Sequence, residues 1–129
     1  MSRRVCEFYN LAPQLVVPDV RKAAEYYRDK FGFEIDGFFF DEPPVYSIVH
    51  RDGATIHFGR SDNGETTNNE MVRKGSRLDV YILISDVVAL YDELKERGAN
   101  IVEGPIERVY GRTEITVVDE NGFHLVFGE

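Results

Sequence analysis

Apolar positions along this chain recur with two periods, and the order in which those periods alternate is itself repeated. Leu15-Val16-Val17 is a short apolar run stopped by Pro18-Asp19, which reads as a buried strand leading into a helix start. Val20, Ala23, Tyr27 and Phe31 then recur three or four residues apart, the spacing of one helical face. Asp19 can accept from the orphan N–H groups of the first turn, and Gly32 suits the left-handed position just past the last. The same order returns later. Ile82-Leu83-Ile84 is followed by Ser85 or Asp86 as a cap, by Val87, Leu90, Tyr91 and Leu94 on one stripe, and by Gly98.

The stretches after each helix also match. Strands are predicted from Ile35 and from Ile101, then over 46–49 and 115–118, each of the latter leading to a turn. Arg51-Asp52-Gly53-Ala54-Thr55-Ile56-His57-Phe58-Gly59 aligns with Glu120-Asn121-Gly122-Phe123-His124-Leu125-Val126-Phe127-Gly128. Asp-Gly and Asn-Gly pairs between apolar runs predict tight hairpins of type I′, with positive φ at both central residues. The repeat therefore reads βαβββ, a polar linker, then βαβββ. Module one spans 10–60, the linker 61–77 and module two 78–129, in one domain of α+β class. With Asn63-Gly64 and Thr66-Thr67-Asn68-Asn69 and no apolar period, the linker is expected to be a surface loop or a flap.

Strand alternation sorts the side chains onto two faces. Leu15, Val17, Ile56, Phe58, Val80, Ile82, Ile84, Ile115, Val117, Phe123, Leu125 and Phe127 fall beneath the helices. The other face carries Ala12, Gln14, Val16, Thr55, His57, Asp79, Tyr81, Leu83, Arg112, Glu114, Thr116, His124 and Val126. That mixture of Tyr, His, Asp, Gln and aliphatic residues suits a concave, partly dry pocket better than a solvated sheet. Packing against a second copy or a helix is the competing use of such a face.

Composition narrows the function. The 129 residues suffice for one core but not for two independent domains. A formal net charge of -8 argues against a protein that tracks nucleic-acid phosphates. No run of about 18 apolar residues is present, so no membrane span is predicted. Met1-Ser2-Arg3-Arg4 is basic but leads into no apolar signal core, so export is not expected. Cys6 is the single cysteine, which rules out an internal disulfide and makes the reducing cytoplasm the expected location. Cys6 has no His-Asn partner in the pattern and is not read as a nucleophile.

These features resemble the superfamily of glyoxalases, bleomycin-resistance proteins and extradiol dioxygenases, the vicinal-oxygen-chelate fold. The resemblance rests on Leu15-Val16-Val17-Pro18-Asp19-Val20, Tyr26-Tyr27, Phe31-Gly32-Phe33 and the closing Val118-Asp119-Glu120-Asn121-Gly122-Phe123-His124-Leu125-Val126-Phe127. Tyr110-Gly111-Arg112 is similar to an aromatic-Gly-Arg segment of the bleomycin-resistance-like branch. The resemblance implies a cupped, mostly antiparallel eight-stranded sheet with helices on its convex side. It also implies a homodimer with sites between subunits, and a small-molecule ligand.

In metal-dependent members, four strand positions hold one divalent ion. Here the matching residues are Ala12, His57, Asp79 and Val126, of which only His57 and Asp79 can ligate. A facial site needs about three protein ligands, so neither metal nor other cofactor is expected. Gln14 and His124 lie one step along the same faces, about 6–7 Å away.

Candidate ligand contacts are Gln14, His57, Asp79, Tyr81, Tyr110, Arg112, Glu114 and His124, with His57 and Asp79 the candidate catalytic pair. Asp79, flanked by Leu78 and Val80, needs a partner if it is buried, and that partner could be His57, Arg112 or a cationic ligand group. His57 could instead bond Thr55. Arg112 and Glu114 could form a surface pair, Tyr81 and Tyr110 a stacking surface. Phe38-Phe39-Phe40, before Asp41-Glu42-Pro43-Pro44, is an apolar cluster for a dimer contact or a pocket rim. The leading expectation is a metal-free binding protein that sequesters a small molecule. The alternatives are a metal-dependent lyase, isomerase or dioxygenase built on His57 and Asp79, and a metal-free enzyme using that pair as a general base.

Overall fold

The computed structural model describes residues 4–75 and 78–129; of the predicted segments, Met1-Ser2-Arg3 and the last two linker residues, Ser76 and Arg77, lie outside that range. The first module runs β1 (Gln14–Val17), α1 (Val20–Phe31), β2 (Glu34–Phe39), β3 (Tyr46–Arg51) and β4 (Ala54–Arg60). A short helix α2 (Asn69–Val72) lies in the linker. The second module runs β5 (Val80–Leu83), α3 (Val87–Arg97), β6 (Ile101–Glu107), β7 (Thr113–Val118) and β8 (His124–Gly128).

Caps set both long helices. The Asp19 carboxylate accepts from the Arg21 and Lys22 amides, and Asp86, rather than Ser85, accepts from Ala89. Gly32 (φ 73°) and Gly98 (φ 76°) end them in the left-handed region, where a Cβ would clash with the backbone. Each helix buries its stripe against its own module, α1 on β2, β3 and β4, and α3 on β6 and β7. One continuous core results, with Val17, Tyr27, Phe58, Leu94, Ile115 and Leu125 among its fully buried members.

Eight strands are present, but not as one sheet. They form two four-stranded sheets, ordered β1-β4-β3-β2 and β5-β8-β7-β6, with no pairing between β1 and β5 among the described residues. In each sheet the first and last strands of the module pair in parallel and the other two pairings are antiparallel. The physical reason is visible on the helix side, where the modules are joined. Tyr27 donates to Asp119 at 2.7 Å, and Arg51 grips Glu93 at 2.8 and 2.9 Å. Asn68 donates to the Gly122 carbonyl at 3.0 Å. These contacts dock the modules without requiring their edge strands to meet.

Two local expectations also change. Neither turn has positive φ at both central residues: Asp52 (49°) is left-handed in the first and Gly122 (87°) in the second. Only 51–54 forms a two-residue hairpin, Arg51 pairing with Ala54. The β7–β8 turn spans five residues because the buried Asp119 carboxylate accepts from the Asn121 and Phe123 amides and organises a wider loop. The linker is not wholly irregular. Asn68 caps α2 by accepting from Met71, as the short polar side chains of this stretch favour.

Candidate functional site

The faces opposite the helices carry the polar constellation, and each sheet builds its own. In the second module Gly128 lies between Leu83 and Glu114 across β5, β8 and β7, and Tyr81, paired with Val126, reaches diagonally over Gly128 toward Glu114. Gly128 is what allows this: a Cβ there would sit 2.0 Å from the Tyr81 hydroxyl. Tyr81 therefore lies flat across β8 and donates to Glu114 Oε2 at 2.6 Å. Tyr110, on the β6–β7 turn, donates to the same oxygen at 2.6 Å. Arg108 donates through Nε to Oε1 at 3.0 Å and also pairs with Glu103.

Glu114 is only 2% exposed, so its charge must be met locally. Burial pushes its carboxyl up, but the donors Tyr110, Tyr81 and Arg108 outweigh that and hold it below the usual carboxylate range. The tyrosines respond in the other direction. Loss of solvent and the bond to Glu114 push Tyr81 up to about 12. Both aromatic rings remain open, Tyr81 38% and Tyr110 59% exposed. The result is a rigid, negatively charged base under two accessible aromatic faces.

The first module repeats the device with different chemistry. Gln14 lies over Gly59, where a Cβ would come within 2.3 Å of its Oε1. Tyr46, opposite Gly59, hydrogen-bonds His57 Nδ1 at 2.8 Å, with the two rings edge to face at 5.4 Å. Phe39 pairs with Tyr46 across β2 and β3 and folds over Gly37. This face is aromatic and imidazole-bearing where the second is carboxylate-centred.

Several expected pairings are not formed. His57 bonds Tyr46, not Asp79 or Thr55. Asp79 takes neither His57 nor Arg112: its two oxygens accept the Asn69 and His124 amides at 2.7 and 2.8 Å, tying α2 to the start of β8. The Glu114 partner is Arg108 rather than Arg112, because the 108–112 turn folds back on itself and places Arg108 beside the β7 side chain. His124 bonds the Gly122 carbonyl through Nδ1 at 3.1 Å. Gln14, Tyr81, Tyr110, Glu114 and His57 thus sit in two separate clusters, and no hydrogen bond links one to the other among the described residues.

Arg108, Glu103 and Tyr46 were not singled out by the sequence. Tyr46 had a usable signal, since Tyr46, Ile48 and His50 alternate onto the open face of β3. Arg108 had none, because its reach depends on the turn geometry.

Of the four positions that the resemblance assigns to a metal, Ala12 and Val126 carry no side-chain donor, Tyr46 bonds the Nδ1 of His57, and each Asp79 oxygen accepts a backbone amide. No group of three or more His, Cys, Asp or Glu side chains converges to hold a metal among the described residues. A groove of about 960 Å³ opens between the modules, where Leu11 and Ile56 face Val80, Ile82 and Leu90. It reaches Asp79 and Tyr81 but neither His57 nor Glu114.

Two βαβββ modules, each with helices on one side and a polar-aromatic face on the other, define the class of two-module folds to which glyoxalases and antibiotic-binding proteins belong. The family model of the Glyoxalase/Bleomycin resistance protein/Dioxygenase superfamily matches residues 10–127, and the chain belongs to that superfamily. No functionally curated protein matches it. Similar solved structures include TioX from Micromonospora sp. ML1 (18% identity, 93% of this chain and 97% of that one, TM-score 0.73). A bleomycin-binding protein complexed with bleomycin (20%, 93% and 97%, TM-score 0.70) is another. TnmS3, an antibiotic binding protein from Streptomyces sp. CB03234, aligns over 97% of this chain and 98% of its own at 16% identity, TM-score 0.72. At these identities the likeness concerns the fold.

Proposed function

We propose that this protein binds a small molecule on its open sheet faces without a metal of its own. The carrying observation is the donor set. Two of the four positions carry no side-chain donor, and at the other two Tyr46 bonds His57 Nδ1 while each Asp79 oxygen accepts a backbone amide, from Asn69 or His124. What the faces offer instead is recognition: exposed tyrosine rings over a fixed carboxylate, and an imidazole beside an aromatic row. The net charge of -8 favours a neutral or cationic ligand over an anionic one. Structural neighbours that bind bleomycin or another antibiotic make aromatic natural products the first class to try.

The reading includes a homodimer. Val5, Phe8, Tyr9 and Leu11 are each more than 80% exposed, an apolar run with no cover among the described residues. The run leads into Leu11, Ala12 and Pro13 at the mouth of the inter-module groove. With Cys6 free and exposed, we place the protein in a reducing compartment. No described helix is long and apolar enough to cross a membrane.

The test is calorimetry on chelator-treated protein against a panel of aromatic antibiotics, bleomycin first. One ligand per site is expected, with affinity indifferent to added Zn²⁺, Mn²⁺, Fe²⁺ or Ni²⁺. Tight one-to-one metal uptake that disappears in His57→Ala would overturn the reading in favour of a metal-dependent enzyme.

A further inference from the structure

The chain carries two Asn-Gly pairs, and its fold treats them in opposite ways. An asparagine followed by glycine can consume its own side chain. The glycine nitrogen attacks the side-chain carbonyl carbon, and with no Cβ on the glycine nothing shields the approach. At Asn121-Gly122 that route is closed. The Gly122 amide donates to the Asp119 carbonyl at 3.2 Å, and the Gly122 carbonyl accepts from Asn68 at 3.0 Å. Asn121 and Phe123, on either side, donate to the Asp119 carboxylate at 2.8 and 2.9 Å. The nucleophile is thus engaged inside a loop that these bonds hold shut.

Asn63-Gly64 is the reverse case. It lies in the linker, where Asp62, Asn63, Gly64 and Glu65 are all exposed. Gly64 has positive φ (76°) and no non-neighbouring atom within 4 Å of the place a Cβ would take, so its backbone has room to turn. Its amide donates to no backbone acceptor among the described residues. The Asn63 side chain is meanwhile held by Glu65, whose amide donates to Oδ1 at 3.0 Å and whose carboxylate accepts from Nδ2 at 3.3 Å. When Gly64 adds to the side-chain carbonyl carbon, negative charge develops on Oδ1, the atom that already receives a backbone N–H. A donor fixed where charge develops is the arrangement that stabilises such an addition.

We propose that Asn63 is a self-modification site, converting in the folded protein to an aspartyl or isoaspartyl residue while Asn121 is preserved. The Gly64 nitrogen bonds to Asn63 Cγ, the Cγ–Nδ2 bond breaks, and Nδ2 leaves as ammonia, carrying off the Gly64 amide proton. Water then opens the cyclic imide at either carbonyl. One opening gives the aspartyl product, the other the isoaspartyl product, in which the main chain runs through the former side chain. No reagent but water is needed. The new carboxylate stands between Asp62 and Glu65 and deprives Glu65 of its Nδ2 donor. Like charges then crowd the stretch that the Thr66 hydroxyl fastens to β1, an edge strand of its sheet, through the Val16 carbonyl. The modification is a one-way charge switch on the segment that joins the two modules.

The experiment incubates the purified full chain at mildly alkaline pH, where the attacking amide nitrogen loses its proton more readily. Tryptic peptides are then mapped by mass spectrometry with fragmentation. Cleavage after Arg60, Arg73 and Arg112 puts the two pairs in separate peptides, 61–73 and 113–129. The mass increase of amide-to-acid conversion is expected at Asn63, with the isoaspartyl share read by isoaspartyl methyltransferase labelling. Conversion there should run at least about tenfold faster than at Asn121, whose loop must open before Gly122 is released. In urea the two asparagines should react at similar rates, because only the fold separates them. Asn63→Gln should give no conversion in the 61–73 peptide at this position. A folded chain whose Asn63 stays intact while the urea-treated chain reacts overturns the inference. Equal conversion of both asparagines in the folded chain overturns it as well, since the fold would then make no distinction between them.

Discussion

Glu114 shows how much of this molecule is decided by single contacts. Its Oε2 receives two tyrosine hydroxyls at 2.6 Å and its Oε1 an arginine, so one buried carboxylate orders side chains from β5, β7 and the β6–β7 turn. Hydroxyl bonds to an ionised group are among the stronger ones in proteins. The Tyr81 phenol, raised to about 12, is the direct reporter. Its neutral form is favoured by folding, so that contribution is fully present below the unfolded value near 10 and is lost as pH rises through about 12. Tyrosinate absorbance should show one tyrosine ionising near that value in the wild type and closer to 10 in Glu114→Gln. A Tyr81 titration unmoved by that substitution would mean the hydroxyl is not bound to Glu114. The same scale explains which site residues were readable beforehand. Alternation placed Gln14, His57, Tyr81 and Glu114 on the open faces, yet a period of two says which way a side chain points and not what it meets there. The pairs His57–Asp79 and Arg112–Glu114 therefore gave way to His57–Tyr46 and Arg108–Glu114.

Elements follow from local rules except where a tertiary contact intervenes. The Asp19 and Asp86 caps and the Gly32 and Gly98 stops are local and were legible as such. The β7–β8 turn is not local. Asp119 is buried and its pKa is raised by desolvation, against the pull of the bonds from Tyr27, Phe123 and Asn121. The Tyr27 hydroxyl, from a helix in the other module, is the side-chain donor that makes this burial tolerable. Tyr27→Phe removes it while preserving the ring stacked edge to face on Phe31 and Phe58. A buried carboxylate deprived of a charge-assisted bond costs about 1–3 kcal/mol, a fall in Tm of several degrees for a domain of this size. Thermal denaturation measures it directly, and a Tm within a degree of wild type would show the bond to be dispensable. Asn-Gly in the sequence marked a turn correctly; its five-residue span goes with the Asp119 bonds from Asn121 and Phe123, and the other oxygen of that carboxylate is met by a phenol 92 positions away.

At the scale of the whole molecule, the unresolved demand is apolar surface. Val5, Phe8, Tyr9 and Leu11 stand in solvent beside a groove lined by Ile56, Val80, Ile82 and Leu90. Removing residues before Asn10 takes away Val5, Phe8 and Tyr9, three of these four side chains, and should convert the expected dimer to a monomer in sedimentation at micromolar concentration. A dimer that survives the truncation would assign the interface to another surface, and a wild-type monomer would remove the dimer altogether.

Sequence by itself determined the doubled βαβββ order, the helix limits and the two-faced strands, because periodicity, caps and turn residues act within a few positions of each other. It also put Ala12 and Val126, which have no side-chain donor, at two of the four positions that the resemblance assigns to a metal. Tertiary structure alone decided that the strands form two sheets of four and not one of eight. It likewise decided that Asp79 spends both oxygens on backbone amides and that Gly59 and Gly128 let Gln14 and Tyr81 lie flat. Each of these outcomes depends on where chain segments tens of residues apart come to rest, and the energies that place them belong to packing between modules, which no local pattern encodes.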